Sequence, residues 1–353
     1  MDEFASIRHW TAGRQTAEWQ RRRGVTLGIG DDAAAVDLSL AEAGLDGAGS
    51  LLIAVDTMVE TVHFAEGTMA DEDVGYKALA ANVSDIAAMG GVPLHAVVSV
   101  SVPSGYGSER MRRVYDGLYV CAEQYGIAVI GGDTTSAPSH MVVSVTLTGT
   151  VETGKELRRS GARPGDAVFV TGPLGMSAAG LHLLLREEAG TPDSEYAAIV
   201  AAHKRPKPSV LAGRLLLKSG ACRSLNDVSD GLASEAWELA EASGLRIVLE
   251  EGRLPKSGSL SAYAAKAGID PLEWMLYGGE DYVLVGTVES GGADAVQKAF
   301  HERGLPFYII GKAEAGEPDV ELIPLPKNWN GERASGRIAR RKIGKRGYNH
   351  FDE

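Results

Sequence analysis

The stretch V-G-Y-K-A-L-A-A-N-V-S-D-I-A-A-M-G-G-V-P, residues Val74 to Pro93, is the one around which the chain is organised. Leu79, Val83 and Ile86 recur at helical spacing, and Gly90, Gly91 and Pro93 mark the stop. Most remaining positions are alanine, so the helix has little polar surface and is expected to be covered on several sides. Asn82 and Asp85 share one face of it. No lysine or arginine stands three or four residues from Asp85, and a carboxylate on such a helix is costly to desolvate without a cationic partner. Asp85 therefore either faces solvent or a neighbouring backbone, or points into a cleft and binds a metal ion.

Outward from that helix the chain reads as two halves. Residues 1–23 read as an amphipathic helix, 25–27 and 28–36 as strands around a tight turn, and 51–55 as a strand ending at Asp56. After the helix, 95–102 is a strand, 108–125 a helix, 127–130 a strand stopping at Gly131–Thr134, and 141–151 an alternating strand. Strict βαβ alternation is missing, so the expected class is α+β. The organisation restarts near Thr153, which divides the chain into 1–153 and 154–353. The second half reads as strand 166–170, helix 178–188, a stiff H-K-R-P-K-P turn from His203 into another helix, and helix 232–243 after N-D-V-S-D-G. Strands at 246–250, 283–288 and 307–310 and a helix at 293–303 follow. The basic tail from Arg333 to Arg346 reads as polar and mobile, yet it leads to an aromatic G-Y-N-H-F.

Composition narrows the function classes. The chain has 353 residues, 44% of them hydrophobic, and a net charge of −12, which disfavours nonspecific nucleic-acid binding. The same charge disfavours anionic small molecules unless metal ions mediate. No stretch is long and apolar enough to span a bilayer, and the N-terminus does not read as a signal peptide. The two cysteines lack ligand spacing and fit a reduced, cytoplasmic setting. Gly28–Ala33 satisfies a loose dinucleotide fingerprint, but two aspartates stand where a pyrophosphate would go. Thr171–Ser177 lacks a P-loop lysine, although its Gly-rich entry to a helix could receive an anion.

Asp32, Asp56, Asp85, Asp133, Asp227 and Asp230 share one local character, sitting at strand ends or the mouths of Gly-rich turns. Singly, each is explained by an Asx-turn or a helix cap. Together, carboxylates from separate elements with no Cys/His cluster form the ligand set of a hard cation such as Mg²⁺, which is shared with phosphates.

D-D-A at Asp31, D-T-M-V-E-T-V-H-F at Asp56, the G-Y-K-A-L-A-A-N-V-S-D-I-A-A-M-G-G core and G-G-D-T-T at Gly131 resemble thiamine-monophosphate kinases. So do R-S-G-A-R-P-G-D at Arg159, the His203–Pro208 turn, D-V-S-D-G-L at Asp227, G-G-E-D-Y at Gly278 and the terminal Y-N-H-F. The general layout is shared with aminoimidazole-ribonucleotide and selenophosphate synthetases. The resemblance implies two domains, a homodimer joined through N-terminal sheets, and transfer of the ATP γ-phosphoryl group to thiamine monophosphate. It implies that the six aspartates are Mg²⁺ ligands, with Asp85, Asp133 and Asp227 catalytic. By the same resemblance Gly132, Arg159 and Ser229 touch ATP, and His63, Glu280 and Tyr348 contact thiamine monophosphate. Ala54, Val55 and Thr61 depart from the residues usual at their positions, and the basic tail is longer than usual. Another synthetase of the superfamily and a non-catalytic phosphate-binding module are the alternatives; a binding module would not turn over ATP with thiamine monophosphate.

Overall fold

The computed structural model describes residues 9–27, 35–41, 44–45, 49–186, 194–325 and 339–348. The first half opens with a helical turn at 9–11, α1 (Ala17–Arg21) and a two-stranded ribbon, β1 (Arg23–Leu27) with β2 (Ala35–Ala41). The single N-terminal helix expected from sequence is thus broken: Gly13 has φ 72° and Thr16 caps α1 anew by accepting from the Trp19 amide. Then come β3 (Gly49–Val59), α2 (Asp71–Ala88), β4 (Val92–Pro103), α3 (Ser108–Tyr125), β5 (Ala128–Ala137) and β6 (Val142–Glu152).

β3, β6, β4 and β5 form one mixed sheet in that order, with β4 and β5 parallel and the other pairs antiparallel. On the inner face Met58, Val143, Val145, Leu147, Ala96, Val98 and Val100 meet Leu79, Val83 and Ile86 of α2 in one core. The outer face is apolar and uncovered in the single chain: Leu51, Ile53, Val55 and Val97 are exposed. Alternation along β3 therefore sends Val55 outward and Asp56 inward, toward α2. Asp56 and Gly131–Thr134 lie within strands, not at their ends as expected from sequence. The β4–β5 ladder runs on to Pro103 and Ala137, past the glycines. Gly132 is required there, since a Cβ would stand 2.0 Å from the Val98 carbonyl oxygen.

The second half contains β7 (Ala167–Val170), α4 (Met176–Arg186), α5 (Ala197–Lys204), α6 (Val210–Ser219), β8 (Cys222–Asp227), α7 (Leu232–Ser243) and β9 (Arg246–Glu250). It continues with α8 (Gly258–Ala267), α9 (Pro271–Tyr277), β10 (Leu284–Val288), α10 (Ala293–Glu302), β11 (Tyr308–Glu314), β12 (Asp319–Ile323) and β13 (Arg341–Lys342). Its seven strands run in the order β13-β12-β9-β11-β7-β10-β8, covered by two clusters of buried apolar side chains. The fold is mixed α+β. α5, β8, α8, α9 and β12 escaped the sequence reading because they are short, and α5 runs through His203, read there as the start of a turn.

The described part of the basic tail is also ordered, contrary to expectation. Ile343 is buried, its amide donates to Val320 and its carbonyl accepts from Trp237 Nε1 at 2.8 Å. Lys342, Lys345 and Arg340 pair with Asp319, Glu241 and Glu314. The basic residues thus serve as ties to an acidic flank.

α2 and α3 cross at two glycines. A Cβ on Gly75 would lie 1.7 Å from the Val114 carbonyl oxygen, and one on Gly117 would lie 1.7 Å from that of Glu72. Backbone approaches backbone, so no rotamer can make room. Gly75→Ala should therefore lower stability by about 1–3 kcal/mol through overpacking, despite alanine's better helix propensity. Urea unfolding of variant and parent gives the answer; an unchanged or raised midpoint contradicts this contact.

Candidate functional site

α2 is the shared wall of the site. Its buried face carries Ser84, which donates to Asp227 Oδ2 at 2.6 Å, and Lys77, which meets Glu280 Oε2 at 2.5 Å. Both acceptors belong to the second half, so the N-terminal helix closes against β8 and the loop after α9. Close packing continues at Gly213 of α6, where a Cβ would sit 2.2 Å from the Ala87 carbonyl oxygen.

Asp85, Asp56 and Asp227 gather at this seam from α2, β3 and β8. Burial raises the Asp85 carboxyl, and the charges of Asp227 and Asp56 raise it further. Burial likewise raises Asp56, which shares a hydrogen bond with Asp85. Asp227 is pushed up to about 6 by burial, against the opposing hydrogen bond from Ser84. The three groups thus crowd negative charge into a place where little protein compensates it. Arg159 acts on Asp85 and Asp227 from a distance, while its own Nε and Nη1 are engaged by Asn226 and Glu238, each at 3.1 Å.

Asp227, Ser229 and Asp230 lie on one loop held from below by Glu235. The Glu235 carboxylate accepts from the Asp230 amide at 3.1 Å, from Ser229 Oγ at 3.4 Å and from Asn226 Nδ2. Burial and the nearby Asp227 charge push Glu235 up to about 9.

The G-G-E-D-Y segment is a knot of backbone constraint. Glu280 has φ 64° and Tyr282 φ 50°, each an unfavourable conformation costing roughly 1–3 kcal/mol. They are fixed by Glu280 N donating to Ser229 O at 2.6 Å and Tyr282 N to Val228 O at 2.9 Å. Asp281 turns the other way and accepts from the Gly175 and Ser177 amides at the start of α4. The Gly-rich entry to this helix, which the sequence left open to an anion, is therefore plugged by an internal carboxylate.

His63 sits in a tight loop after β3, its Nδ1 accepting from the Val59 amide at 3.0 Å beside Thr61, whose φ is 72°. Tyr348 comes back from the C-terminal strap. Its amide donates to the Asp230 carbonyl at 3.2 Å, and its ring lies 6.4 Å from that of His63. Asp133 is placed differently from Asp85. Register pairs it with Ser99 beside exposed Val97, so it is exposed on the outer face, with Gly132 next to it. Asp32 lies outside the described residues.

The donors at the seam suit a hard divalent cation: they are oxygen-only, close enough to repel, and raised by burial. Among the described residues no three such groups converge tightly enough to hold a metal by themselves. Sequence reasoning missed Lys77, Ser84, Asn226, Glu235, Glu238 and Asp281. Lys77 and Ser84 were legible as the only polar residues besides Tyr76, Asn82 and Asp85 between Val74 and Ala88.

Family models match in two blocks, the N-terminal domain of AIR synthase related proteins over residues 30–151 and the C-terminal domain over 163–323. The chain is 41% identical over 332 residues to the thiamine-monophosphate kinase of Bacillus subtilis, covering 93% of this chain and 94% of that protein. The chain belongs to the thiamine-monophosphate kinase family. Solved members agree: the enzyme of Stenotrophomonas maltophilia superposes with a TM-score of 0.76 at 32% identity, over 86% of this chain and 94% of that one. AaThiL complexed with AMPPCP and TMP gives a TM-score of 0.73 at 33% identity, over 86% and 88%. The hydrogenase maturation protein HypE shares the fold, with a TM-score of 0.70 at 20% identity over 100% and 99%.

The pH dependence of stability follows from the crowded carboxyls. A carboxyl whose value is raised on folding favours the fold while protonated. Its contribution is complete below about pH 4 and is lost as pH rises through about 6 for Asp227 and about 9 for Glu235. Above the histidine range, and without divalent cations, the melting temperature should therefore fall between about pH 7 and about pH 9, and Asp85→Asn should melt higher than the parent at pH 8. Calorimetry across that range checks it; a parent that gains stability with pH would refute the repulsion.

Proposed function

We propose that this chain transfers the γ-phosphoryl group of ATP to the phosphate of thiamine monophosphate, yielding thiamine diphosphate. The observation that carries the reading is 41% identity across 93% of the chain to a thiamine-monophosphate kinase. It is supported by the meeting of Asp56, Asp85 and Asp227 at the seam between the two halves. Likeness to HypE at 20% identity supports only the fold, so no other synthetase activity is favoured.

Asp32, Asp56, Asp85, Asp227 and Asp230 are the candidates to hold Mg²⁺. When bound, it would screen the repulsion between two phosphates and help align their oxygens. The chain's own residues do the rest. Arg159, anchored through Nε and Nη1, offers its remaining guanidinium edge to ATP phosphate, beside Ser229. Glu280 and the His63–Tyr348 pair form the acceptor side, where a ring face and a carboxylate suit a cationic thiazolium. Ser84 and Glu235 hold the Asp227–Asp230 loop in place.

We assign 1–153 to ATP and metal binding and to dimerisation, and 154–353 to completing the site. A homodimer through the outer sheet faces would cover Leu51, Ile53, Val55 and Val97 and carry Asp133 and Gly132 into the interface. In this placement the Val55 side chain points to the opposite face of the sheet from Asp56. No helix among the described residues is long and apolar enough to cross a membrane, and we place the reaction in the cytoplasm.

Purified protein with ATP, Mg²⁺ and thiamine monophosphate should yield thiamine diphosphate; no product under these conditions overturns the assignment. Asp85→Asn should abolish turnover while circular dichroism stays unchanged. If Tyr348 stacks on the thiamine moiety, Tyr348→Ala should raise the KM for thiamine monophosphate several-fold to about thirty-fold and leave that for ATP nearly untouched. Tyr348→Phe should be mild. Equal KM values in parent and Tyr348→Ala would make the tyrosine a surface anchor only.

A further inference from the structure

Lys77 is among the largest fully buried side chains of the described residues, and nothing in the proposed chemistry uses it. A lysine is removed from water only when something meets its charge. Here burial lowers its basicity, and the Glu280 carboxylate counters that loss. The pair joins a helix of the first half to a loop of the second.

The partner is held by more than Lys77. His203 Nδ1 lies 3.3 Å from Glu280 Oε2, and Ser177 Oγ lies 3.5 Å from the same oxygen and 3.1 Å from His203 Nδ1. Three groups from α2, α4 and α5 thus converge on Oε2, while no hydrogen bond or ion pair from the described residues reaches Oε1. Burial alone would raise Glu280, yet Lys77 and His203 outweigh it and hold the carboxyl at about 2. Its backbone is fixed as well, since φ is 64° and its amide is tied to Ser229. Gly279 packs directly against this loop, since a Cβ there would stand 2.5 Å from the Ser229 carbonyl oxygen. So much constraint on one carboxylate, with one oxygen left over, is more than packing two halves together requires.

The geometry points to Lys77 and His203 as positioning residues that clamp Oε2 of Glu280 and present Oε1 to the acceptor substrate. Lys77 and Ser84 stand seven residues apart on one face of α2 and contact the second half at Glu280 and at Asp227, while Asp73 in the first turn pairs with Arg205. The helix therefore sets the acceptor carboxylate and the aspartate cluster at a fixed spacing. This inference rests on the reading of Glu280 as an acceptor contact, which the proposed kinase reaction contains.

The test is steady-state kinetics on full-length parent, Lys77→Met, Glu280→Gln and the double variant, with circular dichroism and melting alongside. Lys77→Met should raise the KM for thiamine monophosphate about tenfold or more and move that for ATP less than about twofold. The double variant should be no worse than Glu280→Gln alone, because Lys77 acts through that carboxylate. Should Lys77→Met fail to fold, His203→Leu carries the same split, and His203→Asn, which keeps a donor near the Nδ1 position, should restore most of it. Equal effects on both KM values, no effect on either, or losses that multiply in the double variant overturn the positioning role while leaving the kinase reading intact. A parent that makes no thiamine diphosphate overturns both.

Discussion

Mutual repulsion among Asp56, Asp85 and Asp227 is the constraint against which the rest of the structure is built. Each carboxyl is raised by burial, and Asp85 is raised further by the other two. A fold left to minimise its own free energy would move them apart. They stay because α2 is anchored on both sides: Leu79, Val83 and Ile86 lock it to the N-terminal sheet, while Ser84 and Lys77 lock it to the second half. The glycine crossing with α3 removes any slack by which the helix could slide. Stability is spent on holding three carboxyls together at the seam.

A carboxylate's fate here depends on what reaches it, and the range is wide within a few residues. Glu280 and Asp281 are adjacent, and burial pushes both up. Glu280 is drawn far down by Lys77 and His203, whereas Asp281, met by backbone amides, ends at about 7. One is a charge held by Lys77 and His203; the other is a plug for a helix start. Reading G-G-E-D-Y as a single acidic motif hides that division of labour.

How much was legible in the sequence follows the same physics. Helices with a full apolar stripe and a clean stop, such as α3 and α7, were placed with their observed bounds. β3 and β5 were cut short because Asp56 and Gly131–Gly132 look like terminators, and only the neighbouring ladder shows that the strands continue. The aspartates were readable as a set, but the sequence could not say that Asp133 occupies the outer face, since that depends on register. Lys77, Glu235 and His203 were missed for a common reason. Their partners lie 203, 9 and 77 residues away on other elements, and no local spacing announces a pair made by tertiary contact.

The strap that returns Tyr348 to the cleft has a second effect, at the far border of the seven-stranded sheet. β12 would otherwise end that sheet with an open row of amides and carbonyls, an invitation for another chain to add a strand. β13 occupies that row with only two residues, both exposed and both cationic, flanked by Arg340. It is too short and too charged to template further pairing, while Ile343 just beyond it seals the apolar rim. The segment that brings Tyr348 beside His63 thus also guards the protein against self-association through its sheet edge, so shortening the chain there would cost solubility.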